Sequence, residues 1–241
     1  MKLIFCDLDG TLLFSNSRIQ LLRTKQLLPR LKKSGYIFCV SSGRAYFELR
    51  DFFDDADIYY CASNGALCAD GKKTLFEYPI NKEDIQSGMT DFAAYGKGIA
   101  YVKSKNEYLI RKIKKAYKGL VCEISDVSEI KESILKLAVY GGKPNEEIKN
   151  KFNIIYERNG ITELVSKGTD KARAAKELAE RLGADRSDVL AFGDNTNDVS
   201  LFEFAGKSFA APGADIRVRK AADLECASVP GELYKLICRK E

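Results

Sequence analysis

Two carboxylates two residues apart, Asp7 and Asp9, follow directly on the apolar run Leu3-Ile4-Phe5 and one cysteine. An extended backbone turns residues i and i+2 to the same side, so the two acids face one point. Like charges this close raise each other's pKa unless a cation compensates, which makes a metal ion the first partner to expect. Gly10 lets the chain turn away after them without a Cβ clash. The same residue types also suit an ordinary Asp-Gly turn, and the rest of the chain decides between the two readings.

Groups of complementary chemistry recur further along. Ser41-Ser42-Gly43-Arg44 follows the apolar run 36–40, and Gly193-Asp194-Asn195-Thr196-Asn197-Asp198 follows the apolar run 189–192. Lys171 opens a helical stretch before that last run, with Lys167 as a competitor four residues earlier. Carboxylates from two strand ends can hold a hard, oxygen-liganded cation such as Mg2+, which also binds substrate phosphate. A serine hydroxyl, a lysine ammonium and backbone N–H groups at helix N-termini are what the remaining phosphate oxygens need. A calcium loop of the EF-hand kind is excluded, because Val199 stands where the invariant glycine should be. Histidine is absent from the chain. That removes Ser-His-Asp triads, Cys-His pairs and histidine metal sites, and leaves acid–base work to carboxylates, lysine, tyrosine or cysteine.

These residues need elements to hold them. Leu3-Ile4-Phe5 suits a strand buried on both faces of a parallel sheet, with the acids at its carboxyl end, where open α/β sheets bind ligands. Residues 18–34 carry leucines at 21, 22, 27, 28 and 31 and end at Gly35; Pro29 predicts a helix that starts late or kinks. Strands are expected at 36–40 and 58–62, the latter running into Ser63-Asn64-Gly65-Ala66, and a hairpin over 66–78 about Asp70-Gly71. Alternation returns with a helix over 170–182, closed by Gly183, and a strand over 189–192. Between them, residues 82–162 change character, with a lysine-rich helix over 111–118 and short strands at 99–102 and 135–140. The expected division is therefore a core of 1–81 and 163–241 with an inserted α/β unit at 82–162. The basic run 111–118 reads as a solvated helix face.

At 241 residues, 45% hydrophobic and 30% charged, the chain can bury a core without staples. No apolar stretch approaches the roughly eighteen residues of a membrane helix, and no signal-peptide pattern follows Met1, so a cytoplasmic location without membrane association is expected. Seven cysteines with no Cys-x-x-Cys pair indicate neither a disulfide framework nor a zinc ribbon; Cys6 and Cys39 read as buried hydrophobes. A net charge of +5 suits anionic substrates but is too diffuse to argue for nucleic acid.

Taken together, the motifs resemble those of the haloacid dehalogenase superfamily of phosphohydrolases, in particular its Cof-type group. Asp7-Leu8-Asp9-Gly10-Thr11, Ser42-Gly43-Arg44, the lysine segment 166–172 and Gly193 through Asp198 match the four family motifs in order, and Ser63-Asn64-Gly65-Ala66 resembles the segment before the family's cap. The match covers about 1–80 and 163–241; Asn195-Thr196 departs from the small residues usual there. The resemblance implies an α/β protein, a Rossmann-like parallel-sheet core with a smaller mobile α/β cap. It also implies a Mg2+-dependent phosphatase of small phosphorylated metabolites. Asp7 would be the nucleophile and Asp9 the acid–base. Asp7, the Asp9 carbonyl and Asp194 would hold the metal, supported by Asp198. Leu8, Ser42, Gly43, Lys171 and Asn197 would bind the phosphoryl group, and Arg44 would face the substrate. A phosphomutase of the same superfamily and a phospho-receiver signalling module are the rival readings. The receiver would place its aspartate after a later strand in a chain about half this length. A pure binding protein leaves the Asp7–Asp9 spacing unexplained.

Overall fold

Residues Leu3 to Cys6 lie in β1 (Lys2–Cys6) and are all but fully buried, as a strand covered on both faces must be. Their alternation sends Ile4 and Cys6 into one hydrophobic layer and Leu3 and Phe5 into the other. The structure, a computed structural model, describes residues 1–14, 17–54, 56–71, 73–85, 89–141 and 144–238.

After β1 come α1 (Ile19–Lys33), β2 (Tyr36–Ser41), α2 (Tyr46–Phe53), β3 (Tyr59–Ala62), β4 (Leu67–Asp70) and β5 (Lys73–Glu77). A second group follows: β6 (Phe92–Tyr95), β7 (Ala100–Lys103), α3 (Glu107–Ala116), β8 (Val121–Glu123), β9 (Lys136–Tyr140), α4 (Glu146–Lys151), β10 (Phe152–Arg158) and β11 (Ile161–Ser166). The chain then returns through α5 (Lys171–Leu182), β12 (Val189–Gly193), α6 (Val199–Phe204), β13 (Lys207–Ala210), α7 (Ile216–Ala221), β14 (Leu224–Glu225) and α8 (Val229–Cys238).

Among the described residues the strands make two sheets. One has eight strands in the order β14-β13-β12-β1-β2-β3-β4-β5, parallel from β14 to β3 and closed by the antiparallel β4–β5 hairpin. One face packs on α1, α2 and α8 through Leu21, Leu49 and Leu233, the other on α5, α6 and α7 through Leu178, Leu201 and Val218. This three-layer arrangement is the expected Rossmann-like α/β core. The second sheet has the order β10-β11-β9-β6-β7-β8, so it takes its strands from the middle of the chain and keeps β11 through Ser166. No helix among the described residues is long and apolar enough to cross a membrane.

Two expectations about helices need correction. α1 starts at Ile19, not late, and runs through Pro29. Pro29 is exposed, so water can replace the backbone donor it removes. The lysine-rich helix is α3, Glu107–Ala116 rather than 111–118, because Asn106 caps it by accepting from the Leu109 N–H at 3.2 Å. Its Arg111, Lys112, Lys114 and Lys115 are exposed, as a solvated face requires. The seven cysteines are free thiols, Cys6 and Cys39 buried among them.

Candidate active site

The parallel pairing of β1 with β12 sets Cys6 beside Phe192, and the Asp7 N–H donates to the Phe192 carbonyl at 2.9 Å. Asp7 and Asp194 therefore leave adjacent strands at the same carboxyl edge. The 3-10 turn Thr196–Asp198 then folds Asp198 back beneath them. Its Oδ2 accepts the N–H groups of Asp194 and Asn195 at 3.0 and 3.1 Å. Gly193 makes room, since a Cβ there would lie 2.4 Å from the Asp198 carboxyl carbon. The result is a group of three carboxylates, Asp7, Asp194 and Asp198, with ligand oxygens within 4.8 Å of one another.

Lys171 enters this group from the first turn of α5, which Asp170 caps by accepting from the Arg173 N–H at 2.7 Å. Its ammonium, wholly buried, donates to Asp7 Oδ1 at 2.6 Å and Asp198 Oδ1 at 2.5 Å. Lys167 stays exposed and donates to the Lys149 carbonyl at 2.6 Å. Burial alone would lower the pKa of Lys171, but Asp198 and Asp7 outweigh it and raise it. Burial lifts Asp7 well above the ordinary carboxylate range; Lys171 opposes this, and Asp198 and Asp194 add to it. Asp194 is pushed up to about 6 by burial, against a 2.6 Å hydrogen bond from Thr11 Oγ1. Gly10, at φ +88°, is the residue that permits this fit: a Cβ there would come within 2.1 Å of Asp194 Oδ2.

The Asp9 carboxylate is turned out of that cluster. Its carboxylate receives a two-point bond from Arg44, Nε at 2.6 Å and Nη2 at 2.7 Å, and its side chain is half exposed. The side-chain cluster named above does not include it. Arg44, expected to face substrate, lines the cavity over these groups and is engaged there by Asp9 and, at 3.1 Å, by Glu48, with its guanidinium over the Phe52 ring at 4.9 Å. Between the acids, buried Leu8 closes the turn, its carbonyl accepting from the N–H groups of Leu12 and Leu13 at 2.9 and 2.7 Å.

The second strand end is fastened to the third. The Ser42 N–H donates to the Cys61 carbonyl at 3.0 Å, and Ser42 Oγ accepts from the Arg44 N–H at 3.2 Å. Ser63 and Asn64 return bonds from their N–H groups to the carbonyls of Arg44 and Ser42, at 2.7 and 2.8 Å. Ser63, Asn64 and Gly65 all have positive φ (50°, 57° and 94°), a strained run for non-glycine residues. Asn64 is buried, and its Oδ1 accepts from Asn197 Nδ2 at 3.1 Å. One residue thus joins the Ser42 loop to the Asn197 loop. The segment was visible in the sequence, but no role for Asn64 was.

A cavity of about 370 Å3 opens over these groups, with Asp7, Asp9, Ser42, Gly43 and Asn197 on one side and Tyr117, Lys136, Tyr156 and Glu163 of the second sheet's region on the other. Lys136 is buried; its ammonium donates to the Gly43 carbonyl at 3.0 Å and to Glu163 Oε1 at 3.1 Å. Sequence reasoning missed both partners. The signal was there, a lysine opening the apolar strand Lys136–Tyr140.

An acidic cluster that could hold a metal, with the buried Lys171 bonded into it, lies at the carboxyl edge of a parallel sheet. It lies beside a cavity that the second sheet's region also lines, and is the kind of site an α/β enzyme acting on small phosphorylated substrates presents. Residues 4–230 match the family model for haloacid dehalogenase-like hydrolases, and the chain belongs to that family. It is similar to the 5-amino-6-(5-phospho-D-ribitylamino)uracil phosphatases YbjI of Escherichia coli (strain K12) and YwtE of Bacillus subtilis (strain 168). Identities are 25% and 26%, covering 95% and 89% of this chain and 91% and 88% of theirs. A crystal structure from Eubacterium rectale matches with a TM-score of 0.85 at 25% identity, over 98% of each chain.

Proposed function

We propose that this chain is a Mg2+-dependent phosphatase of small phosphorylated metabolites, sugar phosphates or similar monoesters, working through an aspartyl-phosphate on Asp7. One observation carries the reading. Asp7, Asp194 and Asp198 share a pocket with a single bonded ammonium, that of Lys171. Three negative charges against one positive leave a deficit that a divalent, oxygen-seeking cation balances, so the residues fit the ion. Asp7, Asp194 and the Asp9 carbonyl would hold it, with Asp198 fixing the loop. When bound, Mg2+ would neutralise and orient the phosphoryl oxygens.

The remaining chemistry belongs to the chain. Lys171 holds Asp7 Oδ1, which leaves the other carboxylate oxygen to attack phosphorus as the ester bond to the leaving oxygen breaks. Asp9, taking up a proton from solvent as it turns from Arg44, gives that proton to the leaving oxygen. It then takes a proton from water, which attacks phosphorus, breaks the bond to Asp7 and releases phosphate. Ser42, the N–H groups of Leu8 and Gly43, Asn197 and Lys171 would bind the equatorial oxygens, where phosphoryl transfer concentrates charge. Residues 82–162 would act as the lid that admits water between the two half-reactions. The Lys136–Gly43 bond supports this by tying that unit to the phosphate loop.

The test is release of phosphate from an aryl phosphate and from sugar phosphates with Mg2+, followed by EDTA. Turnover that stops with EDTA is expected; the same rate without metal overturns the proposal.

A further inference from the structure

Phosphate chemistry occupies one end of the cavity, and the leaving group must occupy the other. The charges at that far end are already matched. The Lys136 side chain is 4% exposed; its ammonium donates to the Gly43 carbonyl and to Glu163 Oε1 and sits over the Tyr95 ring, 4.6 Å from its centroid. Arg44 is engaged by both Asp9 oxygens and by Glu48, and the Glu48 contact continues to match it when Asp9 turns to the leaving group. Against these two cations, Asp9, Glu48 and Glu163 line the same space. Glu163 lines the cavity and keeps about a quarter of its side chain exposed while its Oε1 accepts from Lys136, so the carboxylate can still accept from a group in the cavity.

We infer that the Lys136–Glu163 pair selects esters whose leaving group is an uncharged polyol and rejects those carrying a second anionic group. The inference rests on the phosphatase reading and adds the substrate's charge to it. A hydroxyl can donate to Glu163 without disturbing the pair. A carboxylate or second phosphate would have to pull Lys136 from Glu163, leaving that carboxylate beside the new charge in a partly desolvated space. Arg18 and Arg50 line a neighbouring groove that shares Arg44, Glu48 and Tyr117 with the cavity, and Lys118 there is bound to Asp51 at 2.8 Å. A compact substrate therefore meets Glu163 first.

The experiment uses matched esters and reads ratios within each enzyme. Glycerol 3-phosphate is compared with 3-phosphoglycerate, and sorbitol 6-phosphate with 6-phosphogluconate, by kcat/KM in the full-length protein with Mg2+. The uncharged member of each pair should be preferred by about tenfold or more, the scale of a like-charge juxtaposition. Glu163→Gln should cut that preference by about threefold or more, because Lys136 regains an unmatched charge, whereas Glu163→Asp should keep it. Equal or better turnover of either anionic member by the wild type overturns the inference, and that comparison stands even if a variant fails to fold. An unchanged ratio in an active Glu163→Gln enzyme overturns it too. Failure of every ester, an aryl phosphate included, would overturn the phosphatase reading itself and this inference with it.

Discussion

Replacing Lys171 by methionine keeps the volume of the side chain and deletes its charge. The ammonium is fully buried between Asp7 Oδ1 and Asp198 Oδ1, at 2.6 and 2.5 Å. Removing one partner of a buried pair strands the others, at a cost of about 3–5 kcal/mol, a large share of the roughly 5–15 kcal/mol that holds a typical domain together. The sign with pH follows from the protons. Burial already holds the pKa of Asp7 above its unfolded value, and without Lys171, which opposes that shift, it rises further, so the folded state binds more protons than the unfolded one. Stability then falls as pH rises above the unfolded carboxylate value of about 4. The deficit of Lys171→Met should therefore be full at pH 8 and shrink toward pH 5. The chain has no tryptophan, so urea unfolding is followed by far-UV circular dichroism, in EDTA at both pH values. A deficit under about 1 kcal/mol at pH 8, or a larger one at pH 5, would refute the reasoning. Lys167→Ala, at an exposed site, should stay within about 0.5 kcal/mol of wild type.

Asn64→Ala should lower kcat/KM by at least about tenfold and also lower Tm, because alanine tolerates the left-handed backbone poorly and frees Asn197; Asn64→Gly should recover Tm but not kcat/KM, and full activity in both would dismiss the Asn64–Asn197 link. Mg2+ should raise Tm at pH 7.5 and lose that effect below the value of about 6 to which Asp194 is pushed, since protons then compete for its carboxylate; a Tm shift that grows as pH falls would contradict this. Asp9→Asn should slow turnover by roughly 10²–10⁴-fold, the usual worth of acid–base catalysis, whereas Asp7→Asn should stop it. Restoration of either variant by excess Mg2+ would make both acids simple ligands.

Much of the core was legible because its physics is local. A run such as Leu3-Ile4-Phe5 can be buried on both faces in few ways, and acids directly after it must lie at the sheet's carboxyl edge. Lys171 was distinguishable from Lys167 by its place at a helix start, and the structure sets the two in opposite surroundings. What stayed hidden depends on side chains meeting across the fold. The Asp9–Arg44 pair joins two strand ends 35 residues apart, and nothing in either motif announces it. The Lys136–Glu163 pair needs β9 and β11 to be neighbours, which follows from sheet order and not from composition. The start of α3 was missed for a simpler reason. The basic run drew attention away from Leu109, Ile110 and Ile113, whose spacing marks the buried face, and from the cap at Asn106.

The central claim, that Asp7 itself carries the phosphoryl group, is open to direct measurement. The Asp9→Asn enzyme, slowed in releasing the intermediate, is mixed with a phosphoryl-labelled ester and Mg2+, quenched in acid, reduced with borohydride and digested. Label bound to protein after the quench, and homoserine at position 7 after reduction, are the predicted result. A single turnover that leaves no label on the protein, or label on any residue other than Asp7, would contradict it.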